Sequence, residues 1–156
     1  MRVIVLAALV AGCELLPVGP LAPAAPGLVN PPGVPVAVAS AGGPTVVGVV
    51  GSYAYRGEGS SAPWLPAIAL ATLEARAGAT IQVEVVDRLP VVSWQAQFAP
   101  GAAGPEAEPR PLGEGEGLLP GEPIELVAPA AGSWTIGVSI WYPEGSASYY
   151  WHVLVR

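Results

Sequence analysis

The sequence has no lysine, and it has one cysteine, one histidine and one aspartate among 156 residues. A phosphate-binding P-loop is excluded, because that motif requires a lysine. The single histidine, His152, cannot form a histidine-based metal cluster, since zinc sites normally take several nitrogen or sulfur ligands. With one cysteine the chain can form no internal disulfide. We therefore expect no metal and no cofactor, and a fold that depends on core packing.

Basic residues are scarce as well. All six are arginines, and they face twelve acidic residues. A protein that binds nucleic acid needs lysine or arginine to neutralise phosphates, so this balance argues against a nucleic-acid partner. It also argues against electrostatic docking onto anionic lipid headgroups.

Long hydrophobic runs are absent too, but a short one follows the start of the chain. Arg2 precedes an apolar run over residues 3–10, and two small residues then lead to Cys13. This order is typical of a secretory signal, and the run is too short to span a bilayer. Residues 9–13, Leu-Val-Ala-Gly-Cys, resemble the lipobox of bacterial lipoproteins. The resemblance implies cleavage before Cys13, lipidation of its sulfur, and an extracytoplasmic protein held in a membrane of the cell envelope by acyl chains.

Composition divides the remaining chain into two parts. Residues 14–36 contain seven prolines, which lack a backbone donor and fix φ, so this segment is predicted to be an extended, disordered tether. We therefore predict a signal peptide over residues 1–12, the anchor cysteine with its tether over residues 13–36, and one domain over residues 37–156.

Alternation of apolar and polar residues dominates the domain. Period-2 patterns predict strands at residues 80–86, 92–98, 133–142 and 148–156, with further strands at 36–39, 45–55 and 124–127. Residues 73–76 and 80–86 read as a hairpin, residues 67–70 as one helical turn, and residues 143–146 as the turn of the last hairpin. Residues 99–123, rich in proline and glycine, are predicted to form a long exposed loop.

About seven or eight short strands, with no helix beyond one turn, predict an all-β, antiparallel sandwich. Residues 129–134 resemble the corner before a late strand in immunoglobulin-like domains, with Trp134 where tyrosine is usual, which implies an immunoglobulin-like architecture. Residues 51–55 are similar to a run in uncharacterised bacterial lipoproteins that have Tyr-Cys-Trp there, although Ala54 and Tyr55 depart from that pattern.

Two kinds of functional cluster, a Ser-His-Asp triad and a calcium-binding loop, lack the sequence patterns that usually mark them. A Ser-His-Asp triad would need Asp87 beside His152, and no Gly-x-Ser-x-Gly nucleophile elbow occurs. The glutamates of residues 99–123 do not follow the spacing of a calcium loop, so a solvated loop is preferred and cation binding stays open.

The aromatic residues are the remaining candidates. Trp64 lies in a predicted loop, and Trp141 and Tyr150 fall on the strand face opposite the larger apolar set, as does His152. These four residues either contact a ligand or partner, such as an envelope protein or a carbohydrate, or cover the sandwich. The resulting expectation is a lipid-anchored binding or structural module of the envelope without catalysis. The alternatives are a subunit of a larger envelope or transport complex and a hydrolase.

Overall fold

The structure is a computed structural model that describes residues 30–156. The predicted signal peptide, Cys13 and most of the proline-rich segment lie outside the described residues. Within the described part, the only helical element is a 3₁₀ turn at Ala67–Ala69, which confirms the helical turn predicted there. No helix among residues 30–156 has both the length and the apolar character needed to cross a membrane.

Eleven strands make up the rest of the regular structure of residues 30–156, more than the seven or eight expected, because several are very short. They are β1 (Ala37–Ser40), β2 (Val46–Val47), β3 (Val49–Tyr55), β4 (Glu58–Ser60), β5 (Thr72–Ala75), β6 (Thr80–Val85), β7 (Val91–Pro100), β8 (Arg110–Leu118), β9 (Ile124–Val127), β10 (Gly132–Tyr142) and β11 (Gly145–Val155).

The strands form two sheets. The smaller sheet has the order β2-β1-β6-β9, and the larger has the order β4-β3-β11-β10-β7-β8 with β5 also paired to β11. Every pair is antiparallel except β5 with β11. The all-β sandwich of antiparallel strands predicted from the alternation is thereby confirmed, with β5 and β11 as its one parallel pair in residues 30–156.

The core lies between the two sheets. Ile136, Val138 and Ile140 of β10 are at most 2% exposed, and they share one buried cluster with Ile81 and Val83 of the smaller sheet. These residues occupy alternate positions, so each strand points one set of side chains inward. Full burial of each aliphatic side chain contributes roughly 1.5–3 kcal/mol relative to exposure.

A buried hydroxyl network joins the chain before β1 to this core. The Tyr149 hydroxyl donates to the Pro35 carbonyl over 2.7 Å and lies 3.0 Å from the Tyr142 hydroxyl. Burial raises the pKa of Tyr149 to about 12, and burial also raises the pKa of Tyr142. Residue 35, inside the predicted tether, is therefore part of the packed domain.

The last hairpin is confirmed. Tyr142 pairs with Gly145, so Pro143 and Glu144 form a two-residue connection between β10 and β11. Gly145 has φ 143°, and a Cβ at this position would collide with the Ala54 carbonyl oxygen of β3. Glycine is thus required both by the backbone conformation and by the close approach of β3.

The predicted hairpin of residues 73–76 and 80–86 is wrong. β5 pairs in parallel with β11 in the larger sheet, whereas β6 belongs to the smaller sheet. The turn between them carries the chain from one sheet to the other. Leu73 and Ala75 still point into the core, which is why local alternation alone suggested an ordinary hairpin.

The long loop predicted at residues 99–123 is also wrong, because β8 forms an edge strand within it. The Trp94 ring lies over Gly113 and Gly115, where an added Cβ would come within 3.3 Å and 2.7 Å of the indole. Glycines that weaken a strand by propensity therefore serve here to admit a large ring. The Arg110 guanidinium also lies 4.6 Å above the Phe98 ring, at the start of the strand.

Candidate functional site

The outer face of the larger sheet has two halves, and one half is covered by residues 61–71, which we call the strap. Trp64 of the strap packs against the Tyr150 ring, edge to face, with ring centroids 5.2 Å apart. Its ring also lies over Gly137, where an added Cβ would be 3.2 Å from the indole. The Ala67 amide donates to the Gly101 carbonyl over 3.1 Å and fixes the strap to the end of β7.

The structure therefore brings two of the predicted contact residues, Trp64 and Tyr150, together. Tyr150 is 9% exposed, and its burial raises the pKa of its hydroxyl. The Trp64 Nε1 and the Thr135 Oγ1 are buried polar atoms without a hydrogen-bond partner in the described structure. Tyr150 is therefore buried beneath the strap, whereas Trp64 stays half-buried in this edge-to-face contact.

His152 lies on the same outer face and is held by two hydroxyls. Its Nδ1 is 2.8 Å from Thr72 Oγ1, and its Nε2 is 2.9 Å from Ser133 Oγ. Burial lowers the pKa of the imidazole, so the neutral ring bridges β5 and β10. The Ser-His-Asp triad is not formed. In a triad a carboxylate would bind the His152 Nδ1, but here Thr72 Oγ1 does so, and Asp87 instead accepts a bond from the Val36 amide.

The other half of the outer face is uncovered, and Trp141 is its most prominent residue, with 41% of its surface exposed. The strand register places polar side chains in two rows across four strands, and we call this set the open face. One row is Ser146, Trp141, Ser93 and Glu116, and the next is Ser148, Ser139, Gln95 and Glu114.

The open face is polar and carries no basic group. The Ser139 and Ser148 hydroxyls bond each other over 2.8 Å, while Gln95, Glu114 and Glu116 are exposed. Neighbouring strands lie about 4.8 Å apart, so each row offers one side chain about every 4.8 Å along a line across the sheet. A single exposed indole amid such rows presents both a flat apolar surface and an array of hydrogen-bonding groups.

A cluster of charged and aromatic residues lies at the hairpin tip, next to the row of Trp141. Glu144 Oε2 accepts bonds from Arg56 Nη2 over 2.7 Å, from Arg56 Nε over 3.0 Å and from the Tyr55 hydroxyl over 3.0 Å. These bonds, led by that of Arg56, lower the pKa of Glu144. The guanidinium also lies 5.3 Å from the centroid of the Tyr55 ring.

Arg56 adopts an uncommon backbone conformation, with φ 50°. Arg56 and Gly57, which has φ 83°, are the two turn residues between the paired Tyr55 and Glu58, and the favoured two-residue hairpin turns have positive φ at both positions. Glu144 also holds this turn, because its carboxylate binds the Arg56 guanidinium and its carbonyl accepts a bond from the Arg56 amide over 3.0 Å. The ion pair itself is exposed, so its contribution to stability is small.

Arg56 also lines a cleft of about 160 Å³ at the β3–β4 edge. Residues 32–34 form one wall of this cleft, and Tyr53, Tyr55 and Glu58 complete the other. The cleft therefore combines aromatic rings with a guanidinium and a carboxylate.

Neither the open face nor the cleft was predicted as a site, apart from Trp141. The alternation of β10 places Trp141 on the outer face, but the neighbours of Trp141 come from β7, β8 and β11. Glu144 and Arg56 meet across 88 residues of sequence, so no local pattern signals their contact. Within residues 30–156, no three His, Cys, Asp or Glu side chains are grouped so that they could hold a metal ion.

Comparison with known proteins gives structural neighbours only. A scan of protein-family models found no match, and neither did a search of curated proteins. The catalytic domain of the LPMO Lmo2467 from Listeria monocytogenes has a TM-score of 0.43 and 17% identity, with 55% of this chain and 60% of that chain covered. A polysaccharide monooxygenase CBM33 has a TM-score of 0.44 and 10% identity, with 59% and 64% covered. An LPMO from Kitasatospora papulosa has a TM-score of 0.43 and 10% identity, with 60% and 54% covered.

These neighbours contradict the expectation of a module without catalysis, because one is named as a catalytic domain and another as a polysaccharide monooxygenase. That expectation relied on the absence of catalytic motifs in the sequence. Catalytic residues that are distant in sequence and meet only in the folded chain leave no such motif. The chain spans less than two thirds of each of these solved chains. At this identity and TM-score the likeness assigns no substrate, cofactor or residue role to the chain.

Proposed function

We propose that the protein is a carbohydrate-active protein of the cell envelope, and that it holds an extended polysaccharide chain on the open face. The observation that carries this proposal is the exposed indole of Trp141 within one row of polar side chains and beside a second row, which together supply hydroxyl, amide and carboxylate groups. Sugars present apolar C–H faces and many hydroxyls, so they fit a surface that supplies an aromatic ring and dense hydrogen-bonding groups together.

The geometry of the sheet favours an extended chain. The open face crosses four neighbouring strands, β11, β10, β7 and β8, in one continuous sheet. The strand spacing of about 4.8 Å is similar to the length of one sugar unit, so successive units of an extended chain can meet successive strands. Trp141 would stack on one unit, and Ser93 and Glu116 would accept or donate bonds to the next ones along the row.

The negative charge of the open face indicates which polysaccharides it can bind. Glu114 and Glu116 are exposed on β8, and the face contains no arginine to balance them. Like charges placed opposite each other cost affinity, so polyuronates and sulfated chains are disfavoured. Neutral chains and chains with amino groups are the substrates that suit this surface.

We also propose that Cys13 anchors the protein in the membrane. The support is the sequence around Cys13, whose acyl chains would each contribute about 0.8 kcal/mol per buried methylene. The proline-rich residues 14–29 would then hold the sandwich away from the bilayer. Metabolic labelling with a radioactive fatty acid tests the anchor. We expect label on the wild-type protein and none on Cys13→Ala, and a labelled Cys13→Ala variant would exclude this residue.

Co-sedimentation with insoluble cellulose, chitin and peptidoglycan tests the open face. Trp141→Ala should weaken binding to at least one of them about tenfold or more, because a central aromatic contact is commonly worth 1.4 kcal/mol or above. Val127→Ala is the matched control, since Val127 is also an exposed apolar residue but lies on β9 in the other sheet. Equal binding by wild type and Trp141→Ala would refute the proposal.

The same incubations report on chemistry. Soluble products are identified by mass spectrometry, in which addition of water marks hydrolysis and addition of one oxygen atom marks oxidation. Products that are formed by wild type and lost in Trp141→Ala would link the reaction to the chain held on the open face.

A further inference from the structure

We propose that the free edge of β8 binds an extended, basic segment of another protein as an added strand. This interaction goes beyond the proposed function, because it uses the backbone at the edge of the sheet. β8 lies at the end of the larger sheet, and within residues 30–156 its only strand partner is β7. Every second residue of β8 therefore points its backbone N–H and C=O away from β7, where another strand can bond them.

Length distinguishes β8 from the other strands that have a single partner strand. In the described part of the chain these are β2, β4, β5 and β9, with two, three, four and four residues, whereas β8 has nine. Very short edge strands offer little template for another strand, and they are a common protection against unwanted pairing. No residue of β8 is buried. β8 is thus the one long edge that the sandwich leaves accessible over residues 30–156.

The outer side of this edge is acidic. Glu114 and Glu116 are both exposed, and they lie on the outer face of the sheet. An added strand would place its own side chains about 4.5–5.5 Å from these two, and opposite charges at such cross-strand positions attract. The edge therefore favours a partner with lysine or arginine at every second position.

The same charges disfavour a second copy of this chain as the partner. A two-fold, antiparallel pairing of two β8 strands centred on Glu114, Gly115 or Glu116 would set a glutamate of one copy opposite a glutamate of the other. Like charges directly opposite each other destabilise a strand pair. The occupant that the edge fits is consequently a different, basic chain.

The inner side of the edge suits small apolar side chains. Gly113 and Gly115 present no side chain there, and the Trp94 ring lies within 3.3 Å and 2.7 Å of the positions that their Cβ atoms would take. This ring is half-buried, so part of its surface is available to an added strand. Glycine within a strand also marks places where another chain can approach closely. We therefore expect valine or alanine between the basic residues of the partner.

Isothermal titration of the full chain with the peptide acetyl-Lys-Val-Lys-Val-Lys-Val-amide tests the edge. Six extended residues span about 20 Å, which matches residues 113–118. Wild type should bind the peptide saturably, and the double variant Glu114→Gln with Glu116→Gln should bind it about threefold to thirtyfold more weakly, because two charge pairs are lost. The matched control is Glu58→Gln with Glu84→Gln, two exposed glutamates on β4 and β6, and it should bind like wild type.

Two methylated peptides separate strand addition from simple charge attraction. One carries N-methyl groups on its valine amides and the other on its lysine amides, and both keep the full charge. In an extended chain the amides of alternate residues point to opposite edges, so only one of the two sets can bond β8. One methylated peptide should therefore lose binding about tenfold or more, while the other binds like the parent peptide.

The outcomes decide the proposal without reference to the open face. No binding of the parent peptide, equal binding by wild type and the double glutamine variant, or equal binding of the two methylated peptides would each overturn strand addition at β8. Trp141→Ala should bind the peptide like wild type, because Trp141 lies on β10, two strands from the edge. Loss of polysaccharide binding by this variant together with full peptide binding would show that the two sites act separately.

Discussion

Tyr149 joins the core to the chain before β1, and Tyr149→Phe removes only the hydroxyl that does so. The substitution leaves the Pro35 carbonyl and the Tyr142 hydroxyl inside the sandwich without this partner. Each buried polar group left unpaired costs about 1–3 kcal/mol, so for these two groups we expect the free energy of unfolding at pH 8 to fall by about 2–6 kcal/mol. The ring volume is unchanged, so no large cavity adds to this cost.

The fall in the free energy of unfolding that Tyr149→Phe causes should depend on pH, because the Tyr149 hydroxyl can ionise. Its pKa is raised to about 12 in the folded protein, against 10 for an ordinary tyrosine. The unfolded chain therefore loses the proton first, and the contribution of the neutral hydroxyl is complete below pH 10 and disappears as pH rises through 12. At about 1.4 kcal/mol per pKa unit, wild type should lose about 3 kcal/mol over this range through Tyr149 alone. The deficit of Tyr149→Phe should then shrink or vanish near pH 12.

Urea unfolding followed by far-UV circular dichroism, at pH 8 and at steps up to pH 12, measures both effects. Tyr150→Phe is the control at pH 8, because it removes a hydroxyl one residue further along β11, where the ring packs on Trp64. Its free energy of unfolding should change by less than about 0.5 kcal/mol. Parallel stability curves for wild type and Tyr149→Phe from pH 8 to pH 12 would refute the buried, neutral hydroxyl.

Two further substitutions test the outer face. Gly137→Ala places a Cβ 2.9 Å from the Tyr150 ring and 3.2 Å from the Trp64 ring, so it should lift the strap, red-shift tryptophan fluorescence and cost about 1–3 kcal/mol. Gly43→Ala, which meets nothing within 4 Å, is its control, and a full wild-type spectrum for Gly137→Ala would contradict the packing of Trp64. Thr135→Val removes a buried hydroxyl that lacks a partner, so calorimetry should show unchanged or higher stability, by up to about 1 kcal/mol. A loss above about 1 kcal/mol would mean that this hydroxyl is bonded.

Alternation in the sequence predicts the long strands well. β10 and β11 bury every second side chain for most of their length, and the positions of β7, β10 and β11 follow from the period-2 pattern. In β7 the alternation is less regular, since Val92 is 52% exposed while Val91 is buried. β8 could not be found in this way, because its glycines and proline carry no strand propensity. Its place depends on the Trp94 ring, which needs the empty side of Gly113 and Gly115.

The candidate site likewise has features that local alternation predicts and features that depend on contacts between distant residues. Trp141 is assigned to the outer face by its position in the alternation, and the structure leaves it exposed. Tyr150 shares that prediction, yet the strap folds back and Trp64, predicted in a loop, packs against the Tyr150 ring. Whether an aromatic residue on the outer face is exposed depends on whether a distant segment, such as the strap, packs over it. The alternation within one strand does not indicate such packing.

The sequence alone determined that the domain is a helix-poor sandwich and which side chains of β10 and β11 face the core, because alternation and burial are properties of one strand and its own pleat. Only the tertiary structure decided which strands are neighbours. It placed β5 beside β11 and not beside β6, set the rows of the open face across four strands, and brought Arg56 to Glu144. The physical reason is that strand pairing and side-chain contacts join residues far apart in the chain, whose meeting is decided by packing of the whole core.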